Sequence, residues 1–192
     1  MGKIFIVMGK SASGKDSIYS QLTERLSQKV KIVTIYTTRP KREGEVQGRE
    51  YFFRTVEEYE EDLHGGKMIE HRTYNTVFGP WHYYTMDDGQ FDDEKDIIMI
   101  GTLEAFKCIK EYFGQQRVVP VYIEVDDYTR LIRAINREQK QDNPGYAEVC
   151  RRFLADEEDF SDEKLTEAGV DKKFINDNLD ECVERVLAFI SN

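Results

Sequence analysis

Four short runs rich in β-branched residues punctuate the chain, at about 3–8, 31–36, 96–100 and 117–125, each of a length that suits a buried strand. Apolar positions recur at helical spacing over 15–29, 102–113, 127–140 and 179–190. The alternation predicts an α/β fold, a parallel central sheet with helices on both faces. From about 37 to 92 the rhythm breaks. Aromatic, strand-like pieces, Glu50-Tyr51-Phe52-Phe53 and Lys67 to Tyr74, lie around a short charged helix beginning near Val56, so this segment reads as an insertion with a small sheet of its own. A polar turn with a helix breaker, Gln139 to Gly145, is flanked by arginines at 133, 137, 151 and 152.

Composition narrows the class. A chain of 192 residues, 40% hydrophobic with only 4 prolines, suits one substantial folded core with excursions, while 33% charged residues put solvated charge over much of the surface. The formal charge of −10 disfavours non-specific binding to nucleic acid or to anionic membranes, so any phosphate ligand needs a local basic site. Cys108, Cys150 and Cys182 are odd in number and widely spaced, which suggests neither a disulfide framework nor a metal cluster. The apolar start at residues 4–8 is too short for a signal peptide, and no run approaches a membrane span. A soluble, cytoplasmic protein with small-molecule partners is expected; the oligomeric state stays open.

Candidate chemistry is densest at Gly9-Lys10-Ser11-Ala12-Ser13-Gly14-Lys15-Asp16-Ser17. The first strand runs into Gly9 and a helix begins at Lys15, the setting of a phosphate-binding loop, G-x-x-x-x-G-K-[ST]. Glycines let backbone N–H groups curl around phosphate oxygens, the helix N-terminus adds partial positive charge, and Lys15 reaches the β- and γ-phosphates. Asp16 stands where a magnesium-binding hydroxyl is expected. It either complements the helix dipole or serves as a hard-metal ligand, and Ser17 lies one residue off. Further on, in Thr37-Thr38-Arg39-Pro40-Lys41-Arg42-Glu43-Gly44-Glu45-Val46-Gln47-Gly48-Arg49-Glu50-Tyr51-Phe52-Phe53, Arg39 and Arg42 bracket a proline turn and can converge on one phosphate, with Tyr51 offering a hydroxyl.

With the phosphate loop, the 37–53 motif, Met68-Ile69-Glu70, the arginines at 133, 137 and 152, and Ile175-Asn176-Asp177-Asn178-Leu179-Asp180, the chain resembles the guanylate kinase family over nearly its full length. The resemblance implies a P-loop NTPase three-layer fold with an inserted α+β region for the nucleoside monophosphate, at 37–92. The core would comprise 1–36 and 93–192, with a mobile lid at about 133–152. ATP and Mg2+ would be held by Gly9, Ser11, Ala12, Ser13, Gly14, Lys15, Asp16, Ser17 and Asn176, with Asp16 on the metal. Arg39, Arg42 and Tyr51 would grip the acceptor's phosphate, and Glu70, with Phe78, Gly101 and Thr102, would lie around the acceptor. Lys15, Arg39, Arg133, Arg137 and Arg152 would neutralise the transferring phosphoryl group, a reaction that asks mainly for positioning and electrostatic stabilisation.

The chain departs from the family at Asp16, where Ser or Thr is usual, and at Ile97 to Thr102, where aspartates are usual and one reads guanine. It departs again at Phe78-Gly79-Pro80 and at Ile35, where a serine often contacts the acceptor. Asp16 and Gly101-Thr102 are similar instead to ribose 1,5-bisphosphate phosphokinases, which share the core. Three readings follow: a guanylate kinase, a kinase of the same fold with another acceptor such as ribose 1,5-bisphosphate, and a non-catalytic protein-binding domain. His64, His71 and His82 read as surface or packing residues, Trp81 as core or a base-stacking ring, and the acidic runs 57–62, 92–96 and 156–163 as solvated helix faces and turns.

Overall fold

A computed structural model describes residues 1–76, 78–91 and 94–191. In chain order the elements are β1 (Ile4–Met8), α1 (Lys15–Leu26), β2 (Val30–Ile32), β3 (Tyr36–Thr37), β4 (Phe52–Phe53), α2 (Val56–His64), β5 (Met68–Thr76) and β6 (Gly79–Met86). There follow β7 (Asp96–Ile100), α3 (Leu103–Phe113), β8 (Val118–Glu124), α4 (Asp127–Glu138), α5 (Tyr146–Asp159), α6 (Asp162–Ala168), β9 (Lys173–Ile175) and α7 (Leu179–Ile190).

One sheet has the order β2-β7-β1-β8-β9, with every neighbouring pair parallel. The period of two along its central strand sorts the core into two layers. Ile4, Ile6 and Met8 face one side, packed with Phe106 and Ile109 of α3 and Leu165 of α6. Phe5 and Val7 face the other, against Ile18 and Leu22 of α1 and Val183 and Val186 of α7. This is the three-layer α/β arrangement that the strand and helix alternation predicts, and the continuous apolar strands exist because both faces are covered.

The helices begin where short polar side chains satisfy their free N–H groups. Thr102 accepts from the Ala105 N–H at the start of α3, Asn178 does so for α7, and Thr55 with Glu58 forms a reciprocal capping box on α2.

The second sheet has the order β4-β3-β6-β5. Tyr36, Tyr59, Tyr84 and Met86 form its own apolar cluster. The run expected as one strand at 31–36 is two pieces: β2 pairs with β7 in the first sheet, whereas Tyr36 already pairs with Tyr84 in the second. The long strand β6 escaped the sequence reading because Gly79, Pro80 and mixed aromatic and polar residues carry no clean alternation. The 139–145 turn separates α4 from α5 as its composition suggests. Of the acidic run 92–96, and at the 92/93 boundary of the inserted region, Asp92 and Asp93 lie outside the described residues.

Most acidic side chains of the other two runs are exposed, as expected, but some are paired within the protein. Asp62 accepts a hydrogen bond from the Tyr84 hydroxyl at 2.7 Å. Asp156 and Glu157 pair with Arg130, which is only 1% exposed. Trp81 stands outside the second sheet's apolar cluster and stacks on Phe78 instead, at 6.4 Å. His82 stacks on Tyr59 at 4.0 Å, and His71 meets the Tyr59 hydroxyl. No helix among the described residues is long and apolar enough to cross a membrane.

Candidate active site

The turn from β1 into α1 is built for close approach. Gly14 sits at φ 85°, and Ala12 is held at φ 61°, where few residues other than glycine rest. A Cβ at Gly9 would run into the Ile123 carbonyl, and one at Gly14 into the Asn176 amide. Asn176 closes the loop from the β9 side, its Nδ2 donating to the Ser13 carbonyl at 2.8 Å. Two buried oxygens, Ser13 Oγ and Asn176 Oδ1, have no hydrogen-bond partner. A left-handed turn and a cradle that side chains would fill, at the N-terminus of a helix, are what a phosphate chain needs from a loop. Lys15 stands beside it at the first turn of α1, its Nζ 3.5 Å from Asp16 Oδ2. Asp16 and Ser17 are exposed, with 76% of the Asp16 side chain open to solvent.

The helices after β8 lean on this loop. Arg152 of α5 donates to Ser11 Oγ at 3.1 Å. Asp156 accepts from the Ser11 backbone N–H at 2.8 Å, and Glu157 takes the Lys10 ammonium at 2.6 Å. Arg130, stacked 4.0 Å over Phe153, donates to both carboxylates. Arg133 of α4 donates to the Asn176 carbonyl at 3.3 Å. The exposed Arg137 extends from the last turn of α4, and Arg151 is spent on Glu148 of its own helix. Of the arginine pair 151 and 152, the fold thus turns Arg152 to the loop.

In the loop between β3 and β4, Arg39 is only 4% exposed. It forks onto Glu45 with bonds of 2.7 and 3.1 Å, and its guanidinium lies over the rings of Tyr51 and Phe53. Burial works against its charge, but the Glu45 pair outweighs this and raises its pKa. The Arg39 hydrogen bond in turn lowers that of Glu45. Glu45 also accepts the Arg42 backbone N–H at 2.7 Å, leaving the Arg42 side chain exposed. Burial raises the Tyr51 pKa, and among the smaller causes are the charges of Arg39, Glu45 and Asp16.

Glu70 is 6% exposed. Its Oε2 accepts from Arg72 Nε at 2.9 Å, while Oε1 accepts from Thr85 Oγ1 at 2.6 Å and from Arg72 NH2 at 3.4 Å. Arg72 also reaches Thr102 at 3.1 Å. The sequence reading missed Arg72; its signal is the strand period of two, which puts residues 70 and 72 on one face. Gly101 is required by contact, because a Cβ there would lie 3.0 Å from Ile6 Cγ2. Ile35 is buried in the core, and Phe78 is 83% exposed. The loop is brought together with Arg133, Arg152 and Asn176, and Glu70 with Thr102, whereas Phe78 stands apart at the β5–β6 turn.

A parallel sheet whose first strand opens into this phosphate cradle, accompanied by a second sheet with its own guanidinium cluster, makes the chain a P-loop phosphotransferase of the nucleoside monophosphate kinase class. Comparison with known proteins narrows the class. The family model described as guanylate kinase matches residues 1–192, and the chain belongs to that family. It is 27% identical over 190 residues to a guanylate kinase of Thermotoga maritima, covering 98% of this chain and 86% of that one. With a guanylate kinase of Wolbachia pipientis it shares 26% over 193 residues, 99% and 90% of the two chains. A crystal structure of guanylate kinase from Anaplasma phagocytophilum superposes with a TM-score of 0.62 at 21% identity, covering 99% of this chain and 85% of that one, which speaks to the fold.

Proposed function

We propose that the chain transfers the γ-phosphoryl group of ATP to GMP, giving GDP and ADP, with Mg2+. Family membership supports the class of reaction. The observation that carries the reading is a pair of sites: a loop cradle closed by Asn176 and approached by Arg152 and Lys15, and a second guanidinium, Arg39 over the Tyr51 ring, available to an acceptor's phosphate. Donor and acceptor phosphates would then meet between them. An acceptor phosphate oxygen attacks the γ-phosphorus in line as the bond to the β,γ-bridging oxygen breaks, and the electron pair leaves with ADP.

The loop fits ATP: Gly9 and Gly14 leave the room, Asn176 closes the cradle, and Lys15 supplies charge at the transferring phosphates. Asp16 fits a hard cation as an exposed carboxylate beside that lysine. No group of three or more His, Cys, Asp or Glu side chains among the described residues could cage a metal. Asp16 would hold Mg2+, which would supply Lewis-acid charge at the phosphates. Arg39, Arg42 and Tyr51 would hold the GMP phosphate, which replaces Glu45 as a partner for the guanidinium. Arg133, Arg137 and Arg152 would move with a lid at about 133–152, over a core of 1–36 and 93–192 and an inserted acceptor region of 37–92.

A coupled ADP-release assay with GMP, AMP, UMP, CMP and ribose 1,5-bisphosphate tests the reading. GMP should give the highest kcat/KM; turnover with GMP no better than with the rest overturns it. One observation favours a different acceptor in the same fold, namely that the Glu70 carboxylate is already paired inside the protein. The sugar bisphosphate in the panel addresses that reading directly.

A further inference from the structure

We propose that Arg72 determines which base the acceptor site accepts, by withholding, together with Thr85, most of the Glu70 carboxylate, so that the acceptors are 6-oxopurine nucleoside monophosphates as a class rather than GMP alone. The inference rests on the guanylate kinase reading of this site. Arg72 is 8% exposed and lies between two residues already placed on the acceptor side, Glu70 on its own strand and Thr102 at the start of α3. A bulge between Met68 and Glu70 sets the register of β5 there, and β5 packs on α3.

A carboxylate has about four acceptor positions, two on each oxygen. Oε1 of Glu70 has both filled, by Thr85 and by Arg72 NH2, and Oε2 has one filled, by Arg72 Nε. One position remains. Guanine presents two adjacent donors, N1–H and the 2-amino group, which call for two acceptor oxygens side by side. Hypoxanthine presents N1–H alone. Adenine presents a bare N1 lone pair, which a carboxylate repels. With a single open position, Glu70 can take N1–H and so separate 6-oxopurines from adenine, but it has no second place for the 2-amino donor. The charge of Arg72 serves the same arrangement. Burial opposes that charge, and the Glu70 carboxylate beside it outweighs the burial.

Where both oxygens awaited donors, losing one would leave a buried charged acceptor unpaired and cost roughly tenfold to a hundredfold in kcat/KM. The test measures kcat and KM for GMP, inosine monophosphate and AMP with the wild-type protein, Arg72→Leu and Arg72→Lys. In the wild type, GMP should exceed inosine monophosphate by less than about tenfold, with AMP well below both. In Arg72→Lys, which keeps a cation beside Glu70 but cannot fork onto both oxygens, the ratio of GMP to inosine monophosphate should widen, through KM rather than kcat. Arg72→Leu, which also strips the buried carboxylate of its counter-charge, should lower kcat/KM for both. A wild-type ratio of about tenfold or more overturns the proposal, as does an unchanged ratio in Arg72→Lys. Failure of the underlying reading looks different: with UMP and CMP measured alongside, neither GMP nor inosine monophosphate would be turned over better than those pyrimidines.

Discussion

Asp16 occupies the position after the phosphate lysine without any partner that would explain it as a structural residue. Its side chain is 76% exposed, and its closest ionic neighbour is Lys15 at 3.5 Å. A carboxylate in the first turn of a helix gains a few tenths of a kcal/mol to about 1 kcal/mol from the dipole, which any acidic residue there would collect. A metal ligand makes a sharper demand. Asp16→Ser should keep activity at saturating Mg2+, because an oxygen ligand remains. Asp16→Ala should need several-fold more Mg2+ for half-maximal rate. Titrating Mg2+ at fixed ATP checks both, and an unchanged midpoint in the alanine variant would return Asp16 to the dipole role. Its neighbour Gly14 was legible in the sequence as a loop glycine. The reason it tolerates no side chain, the Asn176 amide across the turn, was not, because Asn176 lies 162 positions away in the chain.

Among the elements, the loop between β3 and β4 is held by one carboxylate. Glu45 fastens the Arg39 guanidinium and the Arg42 backbone at once. Its pKa is lowered chiefly by the Arg39 hydrogen bond, against its partial burial. A carboxylate depressed on folding stabilises the protein above its unfolded pKa, about 4.3, and that contribution is lost as pH falls through the lower folded value. Wild type should therefore melt higher than Glu45→Gln at neutral pH, and the gap should close as pH is taken from about 7 toward 3. Thermal melts at a series of pH values read this out; a gap independent of pH would mean that the amide replaces the carboxylate fully. The motif around Arg39 led the sequence reading to expect phosphate binding there. That Arg39 has an internal counter-ion when no acceptor is bound needed the folded loop, since nothing in the spacing of residues 39 and 45 distinguishes that pair from Arg42 with Glu43.

Across the molecule, α5 and the phosphate loop are joined by a buried network around Arg130. Asp156 connects that arginine to the Ser11 N–H, and Glu157 connects it to Lys10. Asp156→Ala strips a partner from a backbone N–H and from a guanidinium that is almost fully buried, at a cost of about 1–3 kcal/mol. It should also raise KM for ATP while leaving KM for GMP close to wild type, because the loosened segment lies on the donor side. Steady-state kinetics with each substrate varied, alongside a thermal melt, separates this from general destabilisation, in which both KM values would move together. The sequence presented residues 156–163 as an acidic run of the kind usually solvated. The fold wraps two of them around an arginine 26 and 27 positions earlier.

By itself the sequence determined the three-layer class, since strand and helix periods are local and survive any arrangement of the chain. It also determined the phosphate loop, whose glycines, lysine and flanking strand and helix are contiguous, and through the 37–53 motif it determined the family. Only the tertiary structure decided which charges are spent within the protein and which stay open to solvent. Arg39 with Glu45, Arg72 with Glu70, and Arg130 with Asp156 are pairs whose side chains would read as surface charge from composition alone. Burial makes each of them obligatory, because a charge removed from water must find a partner. Burial is set by the packing of segments distant in the chain, which no local pattern records.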